Sequence, residues 1–96
     1  MLFVVVKKDK PGQEQVRAQA RPAHMAFLAE HAEKVVFAGP LTSEDGASSI
    51  GSLLAVEAAS VAEAKAFLDA DPFAIAGIFE SVEILPWRWV INPPAG

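Results

Sequence analysis

The sequence predicts an α+β domain, an antiparallel sheet with helices on one face, and three observations carry that prediction. Apolar runs or alternations rich in β-branched residues recur at 2–6, 35–38, 50–56 and 78–91. Stretches with helical periodicity lie between the first and second runs and between the third and fourth. Glycine and proline punctuate most of the joins. The resulting order of strand, helix, strand, strand, helix, strand is the βαββαβ pattern of ferredoxin-like sheets. At 96 residues the chain is expected to form one domain, 1–96, so any site must lie within one core or between copies of it.

The elements follow in order. Leu2-Phe3-Val4-Val5-Val6 reads as a strand buried on both faces or pressed against helices. Asp9-Lys10-Pro11-Gly12 supplies turn chemistry. Gln13 to Ala20 favours helix, but Pro22 lacks the N–H that an interior helical position donates. The expectation is therefore a short helix, a break, and a longer helix that begins at Pro22. In that second helix Met25, Leu28, Ala29 and Ala32 recur at helical spacing and form the expected core face, with His24, Phe27, Leu28 and His31 beside it. Val35 to Ala38 is a second strand stopped by Gly39-Pro40, and polar residues 42–49 form a loop. Ile50, Ser52, Leu54 and Val56 alternate with Gly51, Leu53, Ala55 and Glu57, which turns Ser52 inward. Ser60 caps a helix with Glu63 in capping-box spacing, and Ala62, Ala66, Phe67 and Ala70 give it an apolar side as far as Asp69. Asp71 caps a short turn, Phe73 to Ala76, with Pro72 at the first helical position and Gly77 closing it. Residues 78–91 alternate again, and Pro86 marks an edge, bulge or bend before Asn92-Pro93-Pro94-Ala95-Gly96 ends the fold.

Composition removes several function classes. The net charge of −4 and the scattered basic residues argue against nucleic acid as a partner. Absence of cysteine removes disulfides, thiolate nucleophiles and Cys-type zinc sites. His24 and His31 lie two helical turns apart, too far to share a metal, so no metal is expected. No cofactor is expected either, since neither Gly39-Pro40 nor Gly51 has phosphate-cradle spacing. The first apolar run is far too short to span a bilayer, so no membrane association is expected and the cytoplasm is the predicted location. A hydrophobic fraction of 52% is high for so small a chain. It predicts a homodimer in which two sheets pack face to face, with Trp87, Trp89, Leu53 or Leu54 covering the sheet's free side.

Among the ionisable residues His24 is the leading candidate. In the opening turn of a helix its imidazole would stay neutral and able to accept a proton. Arg17 and Arg21 could hold a carboxylate or phenolate, although a surface pair that includes Glu14 is the stronger reading. Trp87 and Trp89 read as packing rather than ligand stacking. Ser52 lacks a G-x-S-x-G elbow and is better cast as a hydrogen-bonding anchor than as a nucleophile.

Six motifs, taken in their order and spacing, resemble the YciI-like (YCII-related) family over nearly the whole chain. They are Asp9-Lys10-Pro11, Arg21-Pro22-Ala23-His24, Ala38-Gly39-Pro40-Leu41, Gly51-Ser52-Leu53-Leu54, Asp71-Pro72-Phe73, and Phe79-Glu80-Ser81-Val82-Glu83 running into Pro86-Trp87-Arg88-Trp89. The resemblance implies a dimeric α+β barrel whose pocket holds a His-Asp pair, here His24 and Asp71. It implies dehydrochlorinase-like lyase chemistry or hydrolase-like chemistry. The chain departs from the family pattern where Phe27 and Phe73 replace frequent tyrosines and Ile75 a common lysine. With no tyrosine in the chain, no phenol can act as acid or orienter, and polar duties fall to Ser52, Arg17 or Arg21.

The function expected is cofactor-free proton transfer, as elimination, isomerisation or hydrolysis, on a small cyclic or aromatic molecule. His24 would be the base, oriented by Asp71, with Phe27 and Phe73 as apolar wall and Ser52 and Arg21 as polar contacts. The alternative is a non-catalytic domain for small-ligand binding or assembly, in which Asp71 is only a helix cap and His24 only a packed ring.

Overall fold

The computed structural model describes residues 1–93. In chain order it contains β1 (Leu2–Asp9), α1 (Glu14–Glu30), β2 (Val35–Thr42), β3 (Ser49–Glu57), α2 (Val61–Asp69), α3 (Pro72–Ile75) and β4 (Phe79–Trp87). The strands form one antiparallel sheet in the order β2-β3-β1-β4, the expected ferredoxin-like α+β arrangement.

Strand alternation decides which residues face the helices. Phe3, Val5 and Lys7 are the buried positions of β1, and register sets them beside Val56, Leu54 and Ser52 of β3. One end of this face is thus apolar and the other polar. Phe3, Val5, Leu54 and Val56 join Ala64 and Leu68 of α2 in the core, with Leu28 of α1 packed against it. Each large side chain so buried contributes about 2 kcal/mol. The polar end, free of that duty, carries Lys7, Ser52 and the residues that α1 brings over them.

Helix α1 differs from the expected pair of helices. It runs unbroken through Pro22, which is exposed. Buried polar anchors flank the proline, Arg17 before it and His24 after it, and their contacts outweigh the missing N–H. His24 consequently lies in the middle of α1 rather than in the opening turn of a helix. The expected core stripe also changes, because the buried positions of α1 are Arg17 and His24 while Met25 and Ala29, and Ala32 just past its end, are exposed. In α2 the buried positions are Ala64 and Leu68 rather than Ala62, Ala66 and Ala70. The capping box holds, with Glu63 N–H donating to Ser60 Oγ at 3.1 Å.

Both prolines inside strands sit on edges, where a missing donor costs no ladder bond. The outermost strand β2 continues through Gly39-Pro40 instead of stopping there, and Pro86 lies in β4, the opposite edge. β4 ends at Trp87, short of the expected residue 91. Asn92 and Pro93 carry no helix or strand, and the remainder of the expected terminal segment lies outside the described residues.

Register assigns Leu2, Val4, Val6, Leu53, Ala55, Leu85 and Trp87 to the face turned away from the helices. Leu54 belongs to the helix side instead, because it pairs with inward-facing Val5. Phe37, Trp87 and Trp89 meet in an aromatic cluster with centroids 5.3–6.0 Å apart. Leu53 and Leu85 on this face are exposed.

Candidate functional site

The site is built where the polar end of the sheet meets α1 and the α2–α3 turn. Asp71 begins with local chemistry. As the N-cap of α3 its Oδ1 accepts the N–H of Phe73 at 2.9 Å, with Pro72 fixing the first helical position. The turn is closed at Gly77, whose φ of +71° suits glycine. The same carboxylate, 1% exposed, accepts from His24 Nδ1 at 2.8 Å through Oδ1 and 3.0 Å through Oδ2. A carboxylate can only accept there, so Nδ1 carries the proton and Nε2 is left as the second ring nitrogen. Phe73 stacks on the imidazole, with centroids 3.8 Å apart and planes 12° from parallel. The ring of His24 is thereby held both edge-on and face-on.

Arg17 is the second anchor. Its Nε donates to Asp9 Oδ2 at 2.8 Å, and its Nη2 donates to the Gly51 carbonyl at 2.6 Å and to Ser52 Oγ at 2.8 Å. It is buried, 9% exposed, and lies 4.6 Å from the Phe73 ring centroid. The expectation of a surface pair with Glu14 is therefore replaced by a buried network. Glycine is required at position 51, since a Cβ there would collide with the Lys7 carbonyl oxygen as β1 and β3 close on each other. Ser52 Oγ accepts from Arg17, so its own proton remains free to donate to a ligand. Asp9 Oδ1 is buried without a hydrogen-bond partner.

Lys7 completes the group. Its side chain is 1% exposed, with Nζ 3.8 Å from Asp71 Oδ2 and 4.6 Å from the Phe79 ring centroid. Burial pushes the Lys7 ammonium below the usual lysine value; Asp71 and Asp69 oppose that shift, and Arg17 adds to it.

A cleft of about 500 Å³ opens over these residues. Buried Arg17, His24, Ser52 and Phe73 line it, together with the exposed Arg21 and Met25. The structure thus brings together five of the six residues singled out as the site: His24, Arg21, Ser52 and Phe73 at the cleft, with Asp71 hydrogen-bonded to His24. Phe27 is the exception. Three residues beyond His24 it turns toward α2, with ring centroids 5.1 Å from Phe67 and 4.8 Å from His31, and packs beside the core instead of walling the cleft. Lys7 and Asp9 are functional candidates absent from the sequence-based set. The parity of β1 is the signal for both, because positions 3, 5, 7 and 9 share a face once the strand is extended past Val6. No group of three or more His, Cys, Asp or Glu among the described residues is arranged to hold a metal ion.

An imidazole whose Nδ1 is held by a buried carboxylate, beside a hydroxyl donor and an open cleft, is equipped to take a proton from a bound molecule through Nε2. Relatives place the chain. Residues 1–88 match the YCII-related domain. The chain is 36% identical to Protein YciI of Escherichia coli, across 94% of this chain and 99% of that protein, and equally to Protein YciI of Shigella flexneri. The chain belongs to the YCII-related family. Among solved structures, this YCII-related fold is similar to the 5-chloro-2-hydroxyhydroquinone dehydrochlorinase (TftG) of Burkholderia phenoliruptrix, solved in complex with 2,5-dihydroxybenzoquinone. The TM-score is 0.83 with 37% identity, covering 92% of this chain and 94% of that one.

Proposed function

We propose that this protein is a cofactor-free enzyme that moves a proton on a small hydroxylated ring, with His24 as base and Asp71 as its orienting partner. The observation that carries the reading is the contact of His24 Nδ1 with both oxygens of buried Asp71 at the wall of an open cleft. Elimination is the favoured chemistry over isomerisation or hydrolysis. In that step His24 Nε2 takes a proton from a ring hydroxyl while the ring carbon that bears the leaving group gains one, and a second ring hydroxyl then gives up its proton as the leaving group departs with its bonding pair, leaving a quinone. Support comes from the similar dehydrochlorinase and the planar dihydroxyquinone it binds. Support also comes from the cleft itself, whose volume is in the ordinary range for small-molecule sites. Phe73 holds the base in place, Ser52 offers a hydroxyl proton, and Arg21 brings positive charge to the exposed edge where a phenolate oxygen could sit. The working unit is a homodimer joined through the apolar sheet face, and its location is the cytoplasm, which suits a chain without cysteine.

The test is anaerobic incubation with 5-chloro-2-hydroxyhydroquinone, following chloride release. Turnover is expected to rise along an acidic limb of the pH profile and to fall about 10²–10⁴-fold in His24→Ala. Turnover that survives both His24→Ala and Asp71→Asn would remove the proton-transfer role. Binding of 2,5-dihydroxybenzoquinone with no turnover of chlorinated or unchlorinated hydroxyquinols would favour the non-catalytic alternative.

A further inference from the structure

We propose that Lys7 is a positioning residue of this site, whose ammonium, 3.8 Å from Asp71 Oδ2, shares that carboxylate with His24 and so limits how strongly it draws a proton onto the ring. The inference rests on the reading of His24 and Asp71 as the proton-transfer pair.

Burying lysine needs a reason. Lys7 stands in the inward row of β1 after Phe3 and Val5, at a depth where its side chain is 1% exposed and where an aliphatic residue would satisfy the packing. Its charge is nonetheless provided for, by Asp71 and by the face of Phe79. The charged groups that reach it come from the helix side: Asp71 in the α2–α3 turn, Asp69 at the end of α2, and Arg17 from α1, while its strand neighbours are Ser52 of β3 and Val82 of β4. Asp9, two positions on, is already engaged by Arg17.

The charge balance shows what Lys7 contributes. Asp71 faces three partners: His24 Nδ1, the Phe73 N–H and Lys7 Nζ. Without the ammonium, His24 would be the only basic side chain among the described residues within 4 Å of the buried carboxylate. With the ammonium present the Lys7–Asp71 pair is internally neutral. The carboxylate still orients the ring through Nδ1. Lys7 thus acts through Asp71 and needs no contact with the substrate.

The readout is the imidazole ring of His24, followed by NMR as pH is varied, which requires no known substrate. In Lys7→Met the His24 titration midpoint is expected about one pH unit above that of the unsubstituted protein. Lys7→Arg, which keeps the charge, should restore it. The unsubstituted protein supplies a reading independent of any variant's folding. As Lys7 loses its proton on the alkaline side, the His24 ring should show a second inflection. The chain has no tyrosine or cysteine to produce one, Lys8, Lys10 and Lys65 are exposed, Lys34 lies over the Phe67 ring, and the amino terminus sits beside Glu57 at the opposite end of β1. A missing alkaline inflection, or a Lys7→Met midpoint equal to the unsubstituted one, overturns the role of Lys7. The underlying pair is tested separately by Asp71→Asn, which should lower the His24 midpoint whatever Lys7 does. If Asp71→Asn leaves that midpoint in place, the His24–Asp71 reading fails as well.

Discussion

Asp71 holds three things at once: the cap of α3, the Nδ1 proton of His24 and the charge of Lys7. Its substitutions should therefore separate cleanly. Asp71→Ala removes the cap and strands a buried ammonium, and is expected to cost about 3–5 kcal/mol in urea unfolding at neutral pH. Asp71→Asn keeps an oxygen to cap Phe73 and should cost less. Lys7 also gives stability a definite pH dependence. Its folded-state value is depressed, so between that value and the ordinary lysine value the unfolded chain binds more protons than the folded one. Stability should rise with pH across this alkaline window, while below it the burial cost of the charge is fully present. The urea midpoint of the unsubstituted protein should show that rise and Lys7→Met should lack it. In Asp71→Ala the window should open at lower pH, because the carboxylate that opposed the shift is gone.

Helix α1 sets Arg17 and His24 two turns apart over the polar end of the sheet, and it does so with a proline between them. Pro22 is exposed and supplies no donor to the turn before it, so Pro22→Ala should stabilise the protein by about 1–3 kcal/mol. A thermal midpoint that falls in this variant would mean that the proline shapes the helix in a way the site requires. The same helix explains which parts of the architecture are legible in sequence. Strand alternation, the capping box at Ser60 and the Asp71-Pro72 start of α3 depend on residues within a few positions of each other, and each can be read directly. The inward face of α1 cannot be found by searching for an apolar stripe, because polar Arg17 and His24 occupy it. Their partners come from β1, β3 and the α2–α3 turn. Lys7 escapes for a related reason: a strand that is followed only as far as its apolar residues ends at Val6, one position before the parity of the inward face reaches the lysine.

At the level of the whole molecule, one sheet face is occupied by helices and the other presents Val4, Val6, Leu53, Leu85 and Trp87. Leu53 and Leu85, on β3 and β4, are exposed hydrophobic residues on either side of the central strand β1. Exposed apolar residues of this kind, with Glu57 and Glu83 at other positions of the same face, favour association, and a second copy offers the same surface by symmetry. The protein is accordingly expected to sediment as a dimer at micromolar concentration. Placing charge at Leu53 and Leu85, as Asp in both, would bury carboxylates without partners in a sheet-to-sheet interface and should shift the protein to monomer. Every residue assigned here to the cleft comes from a single chain. The monomeric variant should therefore still bind 2,5-dihydroxybenzoquinone, with affinity within about threefold of the parent by NMR titration. Loss of binding together with dissociation would instead show that the neighbouring subunit completes the cleft. An unsubstituted protein that sediments as a monomer would refute the dimer itself.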